Sequence, residues 1–239
     1  TRKESSAASD VYKRQVLSMK YSTVIFDWDG TVVDSTYVIV DAIKKASREL
    51  GLEEPTTQKA SWVIGLSLPK ALLEVVPGLD ETRLQAFIDA YRKYYFSADP
   101  DLKLFDGVLP MIQRLREQGL MTAVATGKSR FGLDRALANH GIANLFDVTK
   151  TADQTQSKPS PVMLQEIFDE LMVQPDECVM IGDTSHDILM ARNAGCDSIA
   201  VTYGAHTLRE ISQAEPSYIV NHVGELEHLL SRHTKKRSE

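Results

Sequence analysis

The spacing of apolar side chains divides the chain into an all-helical stretch and a stretch in which strands and helices alternate. A short apolar run at 24–26 is typical of a buried strand. From residue 36 to about residue 100, apolar side chains recur every three or four positions without a strand-like run between them. Beyond Asp106, helical spacing alternates with short apolar runs, which predict strands near 120–125, 146–149, 178–181, 198–202 and 218–220. The pattern predicts an α/β core interrupted by a helical insert.

The insert is predicted to contain several helices. Its first helix is expected to stop at Gly51, and Gly65, Pro69 and Pro77 are expected to break the stretch 56–76 into short helices. A longer amphipathic helix follows, with an apolar stripe that we assign to the core and to no ligand: Leu84, Phe87, Ile88, Tyr91 and Tyr95.

Repeated strand–helix units predict a Rossmann-like parallel sheet with helices on both faces. We expect this core to comprise residues 19–35 and 101–232, with residues 36–100 as the inserted helical domain and 233–239 as a charged, frayed tail beginning near Arg232. Residues 1–18 have no apolar period, and we interpret them as a non-native or disordered extension before Met19.

Composition narrows the class of function. The formal net charge of −6 argues against a nucleic-acid or membrane partner. Cys178 and Cys196 suggest no disulfide framework, which fits a cytoplasmic protein, and no apolar run approaches the ~20 residues that span a bilayer. A small-molecule partner and a monomer or homodimer are the expectation.

Polar side chains cluster where predicted strands end. The carboxyl ends of parallel strands share one edge of a sheet, so these groups are expected to meet there. They are Asp27 and Asp29, Thr126 and Gly127, Lys158, and Asp183 and Asp187. Four carboxylates against one lysine imply a bound cation, and oxygen ligands without a local Cys or His pair favour Mg²⁺ over zinc.

This set of side chains suits phosphoryl transfer. Thr126, the Gly127 backbone N–H and Lys158 could hold phosphate oxygens. One carboxylate could attack phosphorus to give an aspartyl-phosphate, and a second, two residues away, could move the proton. We expect His186 to be exposed or to form local hydrogen bonds.

The motifs resemble those of the haloacid dehalogenase superfamily of phosphatases. The resemblance rests on residues 27–31 (Asp-Trp-Asp-Gly-Thr), Thr126, Lys158 and residues 182–187 (Gly-Asp-Thr-Ser-His-Asp), in that order. The insert resembles that superfamily's cap domain, and residues 125–130 resemble the phosphoglycolate-phosphatase-like branch. Trp28 and Asp106 depart from the common pattern, and we expect neither to alter the chemistry.

The resemblance implies a role for each matching residue. Asp27 would be the nucleophile and a metal ligand, and Asp29 the general acid and base, binding metal through its backbone carbonyl. Thr126 and Lys158 would hold the phosphate, Asp183 would bind Mg²⁺, and Asp187 would lie at the metal site. From the cap, the segment 64–67 with Gly65 is expected to reach the substrate.

The function that these residues favour is a Mg²⁺-dependent phosphatase of small phosphorylated metabolites, with 2-phosphoglycolate as the best single guess. Alternatives on the same scaffold are a phosphomutase, or a phosphonate hydrolase that would need a cap lysine such as Lys59 or Lys70. A phospho-receiver signalling module shares the residue types, but its acceptor lies on a mid-domain strand and it has no cap. Dehalogenase chemistry is disfavoured because it does not need Asp29 or a metal.

Overall fold

The computed structural model describes residues 20–234, so the interpretation of residues 1–18 and of Met19 lies outside the described part of the chain. Within it, six strands form one sheet in the order β3-β2-β1-β4-β5-β6, and every pairing is parallel. The strands are β1 (Thr23–Phe26), β2 (Met121–Thr126), β3 (Val148–Thr151), β4 (Cys178–Gly182), β5 (Asp197–Val201) and β6 (Tyr218–Val220). The predicted α/β class is confirmed.

Ten α-helices accompany the sheet in the described residues. Four follow β1 without an intervening strand: α1 (Thr36–Glu49), α2 (Thr57–Trp62), α3 (Leu68–Val75) and α4 (Glu81–Ala98). Six belong to the alternating stretch: α5 (Val108–Glu117), α6 (Arg130–His140), α7 (Val162–Leu171), α8 (Ser185–Ala194), α9 (Leu208–Gln213) and α10 (Val223–His233). We call residues 36–100 the cap and the remainder the core.

The strands bury both faces, which explains their continuous apolar runs. Along β1, Val24 and Phe26 join a hydrophobic cluster that also includes cap side chains, whereas Ile25 joins a second cluster under α7 and α8. This alternation follows from the two-residue period of a strand. Because both faces of the central strands are covered, the carboxylates and the lysine that could serve chemistry lie beyond the strand ends.

The two chain segments that join cap and core run side by side. Val33 and Leu104 form an antiparallel bridge, and the Asp34 backbone N–H donates to the Lys103 carbonyl at 2.9 Å. The entry and exit of the cap are thereby fixed next to each other, directly after the Asp27–Asp29 segment. The position of the cap is thus coupled to the first polar cluster.

Two local predictions were wrong. Pro69 does not interrupt a helix but lies in the first turn of α3, where its missing N–H costs nothing. The predicted fraying from Arg232 is wrong as far as Thr234, because α10 continues to His233 and Thr234 forms a bridge with Tyr21; the rest of the predicted tail, 235–239, lies outside the described residues. In addition, β3 begins two residues later than the predicted strand at 146–149.

Candidate active site

Four neighbouring strands deliver the predicted polar groups to one edge of the sheet. Asp27 directly follows β1, Thr126 ends β2, Asp183 directly follows β4, and Lys158 lies in the loop after β3. The Asp27 backbone N–H still donates to the Ile181 carbonyl at 2.8 Å, so the ladder between β1 and β4 extends into the site. The sheet itself therefore sets the position of Asp27.

Three carboxylates and one ammonium form a fully buried charge cluster. Carboxylate oxygens of Asp27, Asp183 and Asp187 lie within 4.8 Å of one another. Lys158 Nζ lies 2.7 Å from Asp27 Oδ1 and 2.6 Å from Asp187 Oδ1, and its side chain is 0% exposed. With every carboxylate ionised, the cluster carries two negative charges more than Lys158 neutralises.

Burial and the repulsion between the carboxylates both disfavour the ionised form of the aspartates. Desolvation raises the pKa of Asp27 well above its ordinary value, although Lys158 opposes the shift. Desolvation, reinforced by the charge on Asp187, raises the pKa of Asp183 to about 7. Burial works against the charge on Lys158 as well, but the two neighbouring carboxylates outweigh it and raise its pKa. The cluster is thus short of positive charge.

A divalent metal ion fits this donor set. Both Asp27 oxygens and Asp187 Oδ1 are buried and lack a hydrogen bond of normal geometry. Unsatisfied buried carboxylate oxygens are costly, whereas hard cations bind such oxygens. Asp27, Asp183 and Asp187 are the residues that could hold the ion.

Fixed hydrogen bonds orient the two carboxylates that follow β4. Asp183 accepts from the Thr31 hydroxyl at 2.9 Å and from the Ala205 backbone N–H at 2.7 Å. Asp187 Oδ2 accepts from the backbone N–H and the hydroxyl of Thr184, which forms a capping box at the start of α8. Asp187 Oδ1 remains directed at Lys158.

Two glycines leave room for the Asp183 side chain. A Cβ on Gly30 or on Gly204 would lie 2.2 Å from an Asp183 side-chain atom, well inside van der Waals contact. Gly30 also has a φ of +78°, which favours glycine. The sequence motif marked Gly30, but no spacing signal marked Gly204, which lies beyond β5.

Asp29 lies apart from the three-carboxylate cluster. Its Oδ1 accepts from the Ser35 hydroxyl at 2.6 Å and lies 3.1 Å from Lys128 Nζ. Lys128 in turn donates to the Tyr95 hydroxyl of the cap at 2.9 Å. Sequence reasoning missed this role of Lys128, because a lysine after Thr-Gly has no distinguishing pattern. It also assigned Tyr95 to the core alone, whereas this buried side chain contacts a site residue.

The cap contacts the core directly at Gly127 and Ser157. A Cβ on Gly127 would lie 2.4 Å from the Gly65 carbonyl oxygen, so glycine is needed where the two backbones meet. The Ser67 backbone N–H donates to the Ser157 hydroxyl at 2.9 Å, next to Lys158. Thr126 is buried, and its hydroxyl accepts from the Lys128 backbone N–H at 3.2 Å. The cap segment 64–67 thus lies against Gly127.

A second cap–core contact involves two histidines. His206 Nδ1 accepts from the Ser185 backbone N–H, so Nε2 carries the proton in the neutral ring and donates to the Trp62 carbonyl at 3.0 Å. His186 Nε2 contacts the same carbonyl at 2.9 Å. The Trp62 indole stacks on His206 with 4.5 Å between the ring centroids. The expectation for His186 was wrong, because it is buried and its partner is the distant Trp62.

Between cap and core lies a cavity of about 310 Å³. Asp27, Asp29, Thr126 and Gly127 line its core side, and Gly65 lines its cap side. Lys158 and Asp183 do not line the cavity; both are 0% exposed, and Lys158 contacts Asp27. Trp28, between the two aspartates, is buried against Phe146, away from these groups.

Comparison with known proteins identifies the family. The family model described as haloacid dehalogenase-like hydrolase matches residues 24–201. The chain is 34% identical over 209 residues to a probable phosphatase, IndB, of Dickeya dadantii, covering 85% of this chain and 90% of the relative. It is 32% identical over 214 residues to a phosphoglycolate phosphatase of Vibrio vulnificus, covering 85% and 93%.

A solved structure agrees in fold. The crystal structure of a haloacid dehalogenase-like hydrolase from Bacteroides fragilis superposes with a TM-score of 0.79 at 28% identity, covering 87% of this chain and 100% of that chain. The chain belongs to the haloacid dehalogenase-like hydrolase family. The predicted enzyme class, a phosphatase within this family, is confirmed.

We predict that Gly204→Ala will lower phosphatase activity by ~100-fold or more, because the new methyl group displaces Asp183 and misplacing a site group by about 1 Å has effects of that size. Steady-state phosphate release measures the loss. Gly51→Ala is the control for the same change of residue in open space, since nothing lies within 4 Å of the added Cβ there. Equal losses in both variants would show that Gly204 does not act through the site.

Proposed function

We propose that the protein is a Mg²⁺-dependent phosphatase of small phosphate monoesters that works through an aspartyl-phosphate on Asp27. The observation that carries the proposal is the state of Asp27. It is buried, it lines the cavity, and neither of its oxygens has a hydrogen bond of normal geometry. Its one contact with a donor group in the described residues is Lys158 Nζ at 2.7 Å, which offsets part of its charge, so the carboxylate remains available as a nucleophile.

Mg²⁺ is the ion that the donor set favours. The three grouped side chains offer only carboxylate oxygens. Mg²⁺ binds through few carboxylates and keeps positions for water and a substrate phosphate, whereas zinc prefers Cys and His ligands. When bound, the ion would polarise a phosphoryl oxygen and neutralise charge that develops in the transition state.

In the first step, an Asp27 oxygen attacks phosphorus while the bond from phosphorus to the ester oxygen breaks. Asp29 gives its proton to the departing alkoxide. Ser35 and Lys128 both contact Asp29 Oδ1, which leaves Oδ2 available for that proton. The Thr126 hydroxyl and the Gly127 N–H are proposed to donate to the phosphoryl oxygens.

In the second step, Asp29 takes a proton from water as the water oxygen attacks phosphorus. The bond between phosphorus and Asp27 breaks, inorganic phosphate forms, and both aspartates return to their starting states. Lys158 contacts Asp27 and Asp187 and is proposed to stabilise charge on Asp27 when it leaves phosphorus.

The alternatives receive unequal support. For a phosphonate hydrolase, Lys59 and Lys70 are both exposed and neither lines the cavity. For a phospho-receiver module, Asp27 lies after the first strand and a helical cap follows it. A phosphomutase would use the same Asp27 chemistry, and it differs in passing the phosphoryl group to a sugar. Product analysis with sugar phosphates separates mutase from hydrolase.

The substrate that the sequence resemblance favours is 2-phosphoglycolate, and the name of the Vibrio vulnificus relative points the same way. We propose it as the first ester to test.

We propose a cytoplasmic monomer or homodimer that acts on a small phosphorylated metabolite, without a nucleic-acid or membrane partner. The two cysteines of the described chain are unpaired and buried, which suits a reducing compartment. None of the helices in residues 20–234 has the length and apolar character needed to cross a bilayer.

Phosphate release from a panel of small esters, each with Mg²⁺ and with EDTA, tests the proposal. We expect turnover with Mg²⁺ and its loss with EDTA, because the site lacks positive charge without the ion. The absence of turnover on every ester, or turnover indifferent to EDTA, would contradict the proposal.

We predict that Asp27→Asn will abolish turnover, with a loss of ~10⁴-fold or more, as when a covalent nucleophile is removed. The same change should not lower the melting temperature, because it removes a carboxylate that burial disfavours in its charged form. Thermal unfolding and steady-state rates together provide the check. If the inactive variant also had a lower melting temperature than wild type, unfolding would explain the loss of activity, and this would count against the assignment of Asp27 as nucleophile.

Mg²⁺ should stabilise the fold more at pH 8 than at pH 5.5. The folded-state pKa of Asp183 is raised to about 7 from 3.8, so the folded state holds a proton more tightly than the unfolded chain. Stability from this group is therefore full below pH ~4 and is lost as pH rises towards 7. A bound cation replaces that proton and restores stability above pH 7. Melting temperatures with and without Mg²⁺ across this range test the trend; a shift that does not grow with pH would contradict it.

A further inference from the structure

The lining of the cavity beside Asp27 is polar on the core side and mainly apolar on the cap side. Its core side carries the reacting carboxylates and the phosphate donors. Beside Tyr91 and Tyr95 of α4, its cap side is formed by five aliphatic side chains from α1, from the turn before α3, from α3 itself and from α4: Ile39, Ile43, Val63, Leu68 and Ile88. Four of the five are buried, the exception being the half-buried Leu68. A substrate phosphate at Asp27 would therefore direct its leaving group towards a hydrocarbon wall.

The charged groups around the cavity are already engaged, with one exception. Lys128 is held by Asp29 and Tyr95. Asp153 accepts from the Arg130 backbone N–H and the Thr151 hydroxyl. The remaining charged side chain is Arg92, which is exposed and therefore lies at the mouth. Within the described part of the chain, a substrate carboxylate close to the phosphate would have no free cationic side chain beside it, and burying such a group unpaired is costly.

The size of the cavity points the same way. At about 310 Å³, it has room for roughly ten water molecules at ~30 Å³ each. A glycolate group has two carbons and would leave most of the aliphatic wall in contact with water. Each methylene group that covers this wall contributes to binding, since burying apolar surface is favourable.

We propose that the enzyme acts on monoesters whose leaving group is uncharged and predominantly apolar, with a body of about the size of a benzene ring or larger. This inference rests on the proposed phosphatase function and deepens it. It predicts that 2-phosphoglycolate and pyrophosphate, whose leaving groups are anionic, are poor substrates. Ile88 is the specificity-determining residue that we would test, because it is buried and projects from α4 into the wall.

Three unreactive analogues separate binding from chemistry: benzylphosphonate, phosphonoacetate and methylphosphonate. All three carry a phosphonate group. Benzylphosphonate adds an apolar body, phosphonoacetate adds a carboxylate, and methylphosphonate adds neither. Calorimetry with Mg²⁺ should give benzylphosphonate at least ~10-fold tighter binding than either of the others, as expected for an apolar pocket. Ile88→Ser should reduce the ratio of benzylphosphonate to methylphosphonate affinity by at least half. Gln85→Ser, on the exposed face of α4, should leave the ratio unchanged.

Kinetics on matched esters complete the test. Benzyl phosphate and 2-phosphoglycolate both lose an alkoxide, so their kcat/KM ratio reports the cavity rather than the leaving group's intrinsic reactivity, and it should exceed ~10. The inference is overturned if 2-phosphoglycolate matches or exceeds benzyl phosphate, above all if Arg92→Gln abolishes that advantage. If benzylphosphonate binds as expected but no ester is turned over, the proposed function fails while the assignment of the cavity stands.

Discussion

The site depends on a shortage of positive charge in a fully buried place. Three carboxylates surround one ammonium at the carboxyl ends of β1 and β4, and burial raises the pKa of Asp27 and Asp183. A protein maintains such an arrangement at a cost to stability, because unpaired buried charge is unfavourable. A cation that shared the carboxylates would offset this cost, so metal binding is expected to raise folding stability.

Close approach of the backbone restricts the positions that the carboxylate side chains of the cluster can adopt. Gly30 and Gly204 approach Asp183 from two sides, and Gly182 lies against Asp187 in the same way. The Thr31 hydroxyl donates to Asp183 Oδ1, and the Thr184 hydroxyl donates to Asp187 Oδ2. Among residues 20–234, the other oxygens of Asp27 and Asp187 have no donor nearby except the Lys158 ammonium. The rigidity of the sheet edge thus pre-organises the charge for a ligand.

The core edge could be predicted from sequence because each group there follows an apolar strand by a fixed spacing. Asp27, Thr126 and Asp183 all lie where strand periodicity and parallel topology place them. Contacts between cap and core could not be predicted in this way. Lys128, Tyr95 and Trp62 meet their partners through the packing of separate helices, and no spacing along the chain encodes that meeting. His186 illustrates the same limit, since its partner carbonyl is 124 positions away.

The proposed mechanism requires transfer of the phosphoryl group from the ester to Asp27. Rapid acid quenching during turnover of a good ester, followed by borohydride reduction of the acyl phosphate and mass spectrometry of the peptides, tests it directly. We expect conversion of Asp27 to homoserine in the wild-type protein during turnover, and no such conversion when the ester is omitted. Phosphorylation of another residue, or turnover with no trapped acyl phosphate at any time point, would contradict it.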